Sequence, residues 1–334
     1  MTETDLYPLR IIPEFVERIW GTHDVSYLFQ HPIAAQPIGE VWLTGDQCRI
    51  ANGPLQGHTL EELSRAYGAA LIGSAAAASC PARFPLLMKV LFPRQKLSVQ
   101  VHPDDIRARA VGQPCGKTEC WYILDAESNA QIALGFNPGT TRPQIERSMQ
   151  EHNMERLLNW IDVRAGEVFY VDAGTVHAIG PGSIILETQQ NSDITYRLYD
   201  YGRPRELHIE QGLAAMKTAT HAGRVVPRGD TLIASPCFTV ERDEFTGPRT
   251  MRSTGAAHCL FALNGAARIE TPGAQPLTFA CGEMVVIPAS LGDYSIIPQW
   301  TIELLTASVP SIITAEPETE LYFALPAASH SEGR

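Results

Sequence analysis

The sequence predicts a mainly β protein made of two related β domains of sandwich or barrel type, with a few helices inserted on the first. Three observations predict it. Short runs rich in Val, Ile, Phe and Tyr, punctuated by Gly and Pro, recur along the whole chain, a spacing typical of sandwiches and barrels. Helical patterns are few. One stretch occurs twice without a gap: AGEVFYVDAGTVHA, residues 165 to 178, aligns with CGEMVVIPASLGDY, residues 281 to 294.

In chain order, VWLTGD, PLLMKVLF, KLSVQVH, CWYIL, QIALGF, EVFYVDAG and SIILETQ read as strands of the first domain, and CLFALNG, ARIETP, EMVVIPA and IELLTA as strands of the second. HTLEELSRAYGAALIG reads as a helix because Thr59 and Glu62 form a capping-box pattern ahead of apolar residues at helical spacing. SAAAAS, residues 74 to 79, reads as the end of that helix or a loose connection. RPQIERSMQEHNMERLLNWI is a second helical pattern and RELHIEQGLAAMK a third. The boundaries implied are a first domain over 1–217, a second over 226–325 and a tail over 326–334.

At 334 residues with 44% apolar side chains the chain has material for two packed cores. No apolar run is long enough to span a membrane, and no secretory pattern opens the sequence, which implies a cytoplasmic protein. The seven cysteines are scattered and include no C-x-x-C pair, a pattern of reduced thiols. A net charge of −11 argues against nucleic-acid or membrane partners. The implied partner is a small molecule, with the chain itself a monomer or weak homodimer. Any anionic ligand needs a local cationic pocket, and three of the four lysines, Lys89, Lys96 and Lys117, flank the stretch SVQVHPDD.

That stretch raises a question of its own. Side chains alternate across a strand, so Lys96, Ser98, Gln100 and His102 share one face and Leu97, Val99 and Val101 the other. The polar face is either wetted or one wall of a site. The repeat bears on the choice. Its two copies agree at Gly166 and Gly282 and at Glu167 and Glu283, yet His177 falls on Asp293, as expected of a duplicated scaffold with one working copy. Gln100, His102, Glu119 and His177 together offer two imidazoles, a carboxylate and an amide oxygen. Such a set suits a borderline divalent ion such as zinc, at about 2.0–2.2 Å.

GEVFYVDAGTVH resembles the second signature of cupins, with Asp172 in place of the proline, and Gln100-x-His102 is similar to the first with glutamine in place of the leading histidine. Within cupins the chain resembles the class I mannose-6-phosphate isomerases of the short bacterial form. IWG at Ile19 to Gly21, FPLLMKVLFPRQKLSVQVHPDD, GKTECWYIL, AGTVHAI and LETQQNSDITYRLYDYGRPRELH look like blocks of that family in its order, from about residue 15 to 217. The resemblance implies two cupin-type jelly-roll domains, the second degenerate. It places Gln100, His102, Glu119 and His177 on one zinc site, Trp20, Lys89, Ser98 and Lys117 on the sugar-phosphate pocket, and Lys117, Glu187 and Arg197 on the catalytic apparatus. Thr22 in WGT and Leu43 to Gly45 in GEVWLTGD depart from the family's blocks, at positions expected near the pocket rim.

The activity implied is interconversion of mannose 6-phosphate and fructose 6-phosphate through an enediolate, where negative charge on oxygen is the difficulty. A metal ion and a permanently charged arginine both answer it. Glu187, Lys117 and a water on the metal are all open as the proton-transfer base. Two alternatives are isomerisation of another aldose phosphate, suggested by the departures at 22 and 43 to 45, and a sugar-binding bicupin without activity. Read without the family, Glu187 suits a solvent-facing position, Lys89 a core lysine reaching outward, Trp20 a core residue, and Arg197 a sheet arginine paired with Asp193 or Asp200. In the second domain the expectation is no metal. The one contrary arrangement is His258, standing before a strand as a first-signature ligand would, with Asp293 and Glu270.

Overall fold

Alternating apolar residues gather the chain into four antiparallel sheets, arranged as two facing pairs. In the computed structural model, which describes residues 6–253 and 255–310, the first pair is a seven-stranded and a five-stranded sheet. The larger sheet runs Gly223–Val225, Val168–Val171, Glu119–Ala126, Ser183–Gln190, Leu86–Leu91, Ile38–Trp42 and Glu14–Thr22. The smaller runs Tyr196–Tyr199, Val99–Val101, His177–Ile179, Gln131–Phe136 and Leu158–Asp162. The second pair repeats the plan. Its larger sheet holds Thr231–Ala234, Thr239–Phe245, Ile302–Ser308, His258–Asn264 and Met284–Ile287, and its smaller sheet Arg249–Ser253, Gly292–Pro298, Ala266–Glu270 and Leu277–Ala280.

The N-terminal strand Leu9–Ile12 does not stay with the first pair. It lies antiparallel to Met284–Ile287 in the larger sheet of the second, with Arg49–Ile50 on its far side. The chain thus opens in one sandwich and continues in the other. Residues 311–334, which include the expected tail, the end of the second domain and His330, lie outside the described residues.

Strand alternation explains the three layers of core that lie between the sheets. Trp121 and Ile123 point into the first sandwich, among Phe169, Val171 and Leu134. Cys120 and Tyr122, one residue out of phase, point the opposite way. There they join Tyr170 and Leu186 in a single apolar layer with Cys259, Phe261, Val286 and Leu305 of the second sandwich, so the two large sheets pack back to back. The interior of the second sandwich is closed by Leu260, Ala262, Phe279 and Ile296.

The six α-helices among the described residues all fall between residues 60 and 215. Leu60–Tyr67 begins at the expected capping box, Thr59 Oγ1 accepting from Glu62 N and the Glu62 carboxylate accepting from Thr59 N. It breaks at Gly68, whose φ of 50° is left-handed, and resumes as Ala69–Ile72. SAAAAS forms a short helix of its own, Ser74–Ser79. The second helical pattern is shorter than its sequence suggests: it stops at Gln150, because His152 takes a left-handed φ of 54°. A 3-10 turn follows, and NWI becomes the edge strand Leu158–Asp162, with Trp160 paired to Ala133. The third pattern gives Ile209–Ala215. No helix among the described residues is long and apolar enough to cross a membrane.

Candidate active site

The polar strand face of SVQVHPDD, Ser98, Gln100 and His102, is not wetted. Ser98 and His102 are buried and Gln100 is half-buried, while Val99 and Val101 fill a core under the helix Arg142–Gln150. Leu97 breaks the simple alternation and faces the same cavity as Ser98 and Gln100. Lys96 turns away, pairing with Glu155 and lying over the Trp160 and Tyr201 rings.

Cross-strand register carries the polar face to His177. His177 is the direct neighbour of Gln100, and Val171 that of Glu119, so the two sheets of the sandwich aim His102, Glu119 and His177 at one point. The Glu119 carboxylate lies 3.3 Å from His177 Nε2 and 3.6 Å from His102 Nε2. Each imidazole is held from behind: His102 Nδ1 hydrogen-bonds Ile194 O and His177 Nδ1 hydrogen-bonds Thr175 O, both at 2.9 Å. A backbone carbonyl can only accept, so Nδ1 carries the proton and each Nε2 lone pair faces Glu119. Burial pushes His102 well below the ordinary imidazole range and His177 down to about 4, so both rings are neutral.

Glu119 carries the test of what belongs there. Both of its oxygens are buried and neither receives a hydrogen bond of acceptable geometry, although Lys117 Nζ stands 3.3 Å away. Burial, reinforced by the neighbouring Glu187 charge, raises its pKa. A buried carboxylate without donors, facing two oriented imidazole lone pairs, fits a divalent cation. His102, Glu119 and His177 are the one such three-residue cluster among the described residues. Gln100 adjoins it, its side-chain amide nitrogen 3.2 Å from His177 Nε2 and its oxygen accepting from Ser98 Oγ at 3.3 Å. To offer oxygen to a cation, that amide must turn over.

In front of the cluster is a cavity of about 380 Å³, walled by Trp20, Lys89, Ser98, Gln100, Lys117, Glu187 and Arg197. Every residue expected at the pocket or the catalytic apparatus reaches this cavity. Trp20 is also core, packed with Leu91 and Leu97. Glu187 is buried, accepts from Trp121 Nε1 at 3.0 Å and pairs with Lys89 Nζ at 2.9 Å. The solvent-facing reading of Glu187 is therefore excluded. Burial alone would raise Glu187, but the ammonium groups of Lys89 and Lys117 outweigh it and hold the group far below its ordinary value. Arg197 does not pair with Asp200, which binds Arg203 and Arg205 instead. Arg197 Nη1 donates to Glu206 O at 2.8 Å and its buried Nε has no partner.

Sequence reasoning missed Arg18, Glu40, Asp193, Thr195 and Arg205, which also wall the cavity. Arg18 was within reach, since it shares a strand face with Trp20 two residues on. Glu40 answers both Arg18, at 3.0 Å, and Lys89, at 3.7 Å. Two expected rim positions are not at the rim. Thr22 faces a separate surface cleft with Asp24 and Arg94. Leu43 and Thr44 are buried, Thr44 Oγ1 donating to Leu86 O at 2.9 Å, so their departures from the family pattern reflect packing.

A family model described as phosphomannose isomerase type I, catalytic domain, matches residues 9–135. Mannose-6-phosphate isomerase of Bacillus subtilis is 35% identical over 311 residues, 86% of this chain and 95% of that one. The chain belongs to the type I phosphomannose isomerases. The Streptococcus mutans mannose-6-phosphate isomerase is 34% identical, over 86% of this chain and 94% of its own. The Bacillus subtilis mannose 6-phosphate isomerase crystal structure superposes with a TM-score of 0.79 at 30% identity, covering 90% of this chain and 99% of that one. The two sandwiches are thus the cupin-like fold of phosphomannose isomerases.

The second sandwich shows what became of the other copy. Arg164 N donates to Glu167 Oε2, and Ala280 N to Glu283 Oε2; Thr175 N donates to Asp172 O, and Leu291 N to Pro288 O. The repeated turns are therefore the same turn. Past them the ungapped alignment fails. Gly292 adopts a φ of 78°, whereas Val176, its counterpart, is not left-handed, and the following strand enters rotated by one residue, which exchanges its faces. Tyr294 turns inward and Asp293 outward, where it pairs with Arg252 at 3.5 Å. His258 pairs with Ile287 as Glu119 pairs with Val171, so it occupies the Glu119 position and not a first-signature one. Its Nδ1 meets Tyr294 Oη at 2.8 Å. Asp293 and Glu270, the latter paired with Arg268, do not join it.

Proposed function

We propose that this chain is a zinc-dependent isomerase interconverting mannose 6-phosphate and fructose 6-phosphate through an enediolate. The observation that carries the reading is the Glu119 carboxylate, buried without a hydrogen-bond donor of good geometry between two imidazoles whose Nε2 lone pairs face it, directly behind Gln100 and Lys117 of a charged cavity wall. His102, Glu119 and His177 would hold the ion, with Gln100 as fourth ligand. The ion would supply Lewis-acid stabilisation of the oxygen that gains charge, and zinc is the ion this nitrogen and oxygen set suits.

The chain's own residues account for the rest. Arg197 lines the cavity and cannot lose its proton at neutral pH, so it stabilises developing negative charge. Lys117 Nζ, 3.1 Å from His102 Nε2, brings an ammonium donor beside the same oxygen. Ser98 and Lys89 line the wall that receives the sugar phosphate, and Trp20 supplies an apolar face against the sugar. Glu187 is ill suited as the proton-transfer base. Ion-paired and with its pKa depressed to about 2, it is far from the near-neutral value that makes a base effective, and it fixes Lys89 and Trp121 instead. The departures at 22 and 43 to 45 lie off the cavity and give no support to a different sugar.

The seven cysteines, all free, accord with a cytoplasmic setting. A coupled assay with mannose 6-phosphate, alongside metal analysis of the same protein, tests the proposal. Turnover that disappears with a chelator and returns with zinc is the expected result. Robust turnover in metal-free protein, or none in zinc-loaded protein, would overturn it.

A further inference from the structure

Cys80, Cys115 and Cys237 line one small cleft of about 160 Å³, together with Asp105, Arg109 and Gln190. The cleft is separate from the catalytic cavity. Cys80 closes the helix Ser74–Ser79, and Cys115 lies in the loop between the helix Asp105–Ala110 and the strand Glu119–Ala126. Though far apart in sequence, both side chains open on this one cleft. Cys115 Sγ also reaches Asn191 O at 3.6 Å. The two sulfurs are not equivalent. The neighbouring Cys115 side chain outweighs burial and, with the Arg83 guanidinium, holds Cys80 below the ordinary thiol range, while Cys115 is raised. One sulfur is set as nucleophile and the other as its partner.

We propose that Cys80 and Cys115 form a reversible disulfide, closed by a small hydroperoxide that enters through this cleft. The Cys80 thiolate attacks the peroxide, the O–O bond breaks, and one oxygen stays on sulfur as a sulfenic acid while the other leaves as water or alcohol. Cys115 then attacks the sulfenic sulfur and the second oxygen leaves as water. Two thiols are oxidised by two electrons and one peroxide is reduced by two. In a reducing compartment such a bond is transient and regulatory.

The consequence for turnover follows from where Cys115 sits, and it rests on the isomerase reading; the disulfide itself does not. Lys117 is two residues on. Between them, Gly116 is packed so tightly on the start of the preceding helix that an added Cβ would meet Asp104 C and Pro103 O at 2.7 Å. Gly116 N donates to Asp105 Oδ1 at 2.7 Å and Lys117 N to Pro103 O at 3.1 Å. A loop held this closely has little slack. Closing an S–S bond of about 2.05 Å draws the Cys115 end of this loop toward Cys80 and therefore moves Lys117 away from its place beside His102.

The experiment treats reduced full-length protein with hydrogen peroxide, alkylates it, maps its peptides without reduction, and assays it before and after dithiothreitol. The expected result is a Cys80–Cys115 linked peptide and a loss of kcat of about tenfold or more, the scale of a small misplacement at a reacting site, which dithiothreitol reverses. Cys80→Ser and Cys115→Ser should keep the reduced-state activity and lose the response, with the alanine variants as substitutes if a serine disturbs folding. Absence of the linked peptide, or a bond to Cys237 in its place, overturns the pair. A linked peptide with unchanged kcat overturns the coupling to Lys117. If the reduced protein has no isomerase activity, the functional reading fails while the peptide map still decides the disulfide.

Discussion

Lys89 Nζ lies 2.9 Å from the Glu187 carboxylate, with both side chains almost wholly shielded from water. Glu40 completes the group at 3.7 Å from the same nitrogen. Lys89 thus reaches the cavity already flanked by two carboxylates, and any phosphate must share it with them. Removing one partner of a buried pair strands the other, at a cost of about 3–5 kcal/mol. Glu187→Gln should fall at the lower end because Glu40 remains. Thermal unfolding would check this. A melting temperature unchanged from that of the parent chain would mean that the pair contributes nothing.

The same cluster sets a pH dependence. Burial would raise Glu40 and Glu187, but Lys89 outweighs it, with Arg18 helping on Glu40 and Lys117 on Glu187, so both titrate below the usual value of 4.5. Their stabilisation is therefore present in full above about pH 4.5 and is lost as the pH falls toward about 2. Lys89 is shifted upward by Glu187 and Glu40 against its burial, so its share is complete below about pH 10.4 and is lost only above it. A melting-temperature profile should fall on the acid side, and Glu187→Gln should flatten that fall.

Metal content should separate the ligands by rank. His102→Ala, Glu119→Gln and His177→Ala each remove a member of the cluster whose donor atoms lie within 4.8 Å of one another, and each should abolish stoichiometric binding. Gln100→Leu should weaken affinity by about 10–100-fold or less, since its amide must turn over before it can ligate. Far-ultraviolet circular dichroism should stay unchanged in all four, as both sandwiches keep their own apolar cores. Full zinc occupancy in His102→Ala would contradict the assignment.

Kinetics should distinguish Arg197 from Lys117. Arg197→Lys keeps the charge but loses the planar guanidinium fork at the cavity wall, and the expected loss is in kcat, about 10²-fold or more, the scale of losing one oxyanion donor. Lys117→Ala should raise KM or abolish turnover while leaving the metal bound, because Lys117 Nζ stands 3.3 Å from the Glu119 carboxylate without belonging to the ligand cluster. Unchanged constants in either variant would remove that residue from the reaction.

Much of the fold was legible because each apolar run quoted as a strand contributes to one, VWLTGD only through Val41 and Trp42, and strand periodicity survives in tertiary context. The convergence of His102, Glu119 and His177 was expected chiefly from the family resemblance, since their residue types and scattered spacing alone are a weak signal. What failed had local physical causes that composition does not display. A left-handed His152 ended a helix early, and the strand Leu9–Ile12 joined the distant sandwich through a register that no local pattern announces. Arg18 and Glu40 were overlooked because an ion pair on adjacent strands is visible only once the strands are paired.

The second sandwich gives the sharpest check on reading a repeat from its alignment. The 3.3 Å contact of Glu119 with His177 is replaced there by His258 and Tyr294, hydrogen-bonded at 2.8 Å. This follows from the rotation that Gly292 introduces. Burial lowers the His258 pKa, so the ring is neutral and the tyrosine can satisfy it without a charge, which lets the interior close over Leu260 and Ile296. Tyr294→Phe leaves His258 Nδ1 unpaired and should cost about 1 kcal/mol of stability with kcat and metal content unchanged. Anomalous scattering at the zinc edge from zinc-loaded crystals is the complementary measurement. One peak between His102 and His177 is expected, and a second beside His258 would show that the rotated strand still leaves room for an ion.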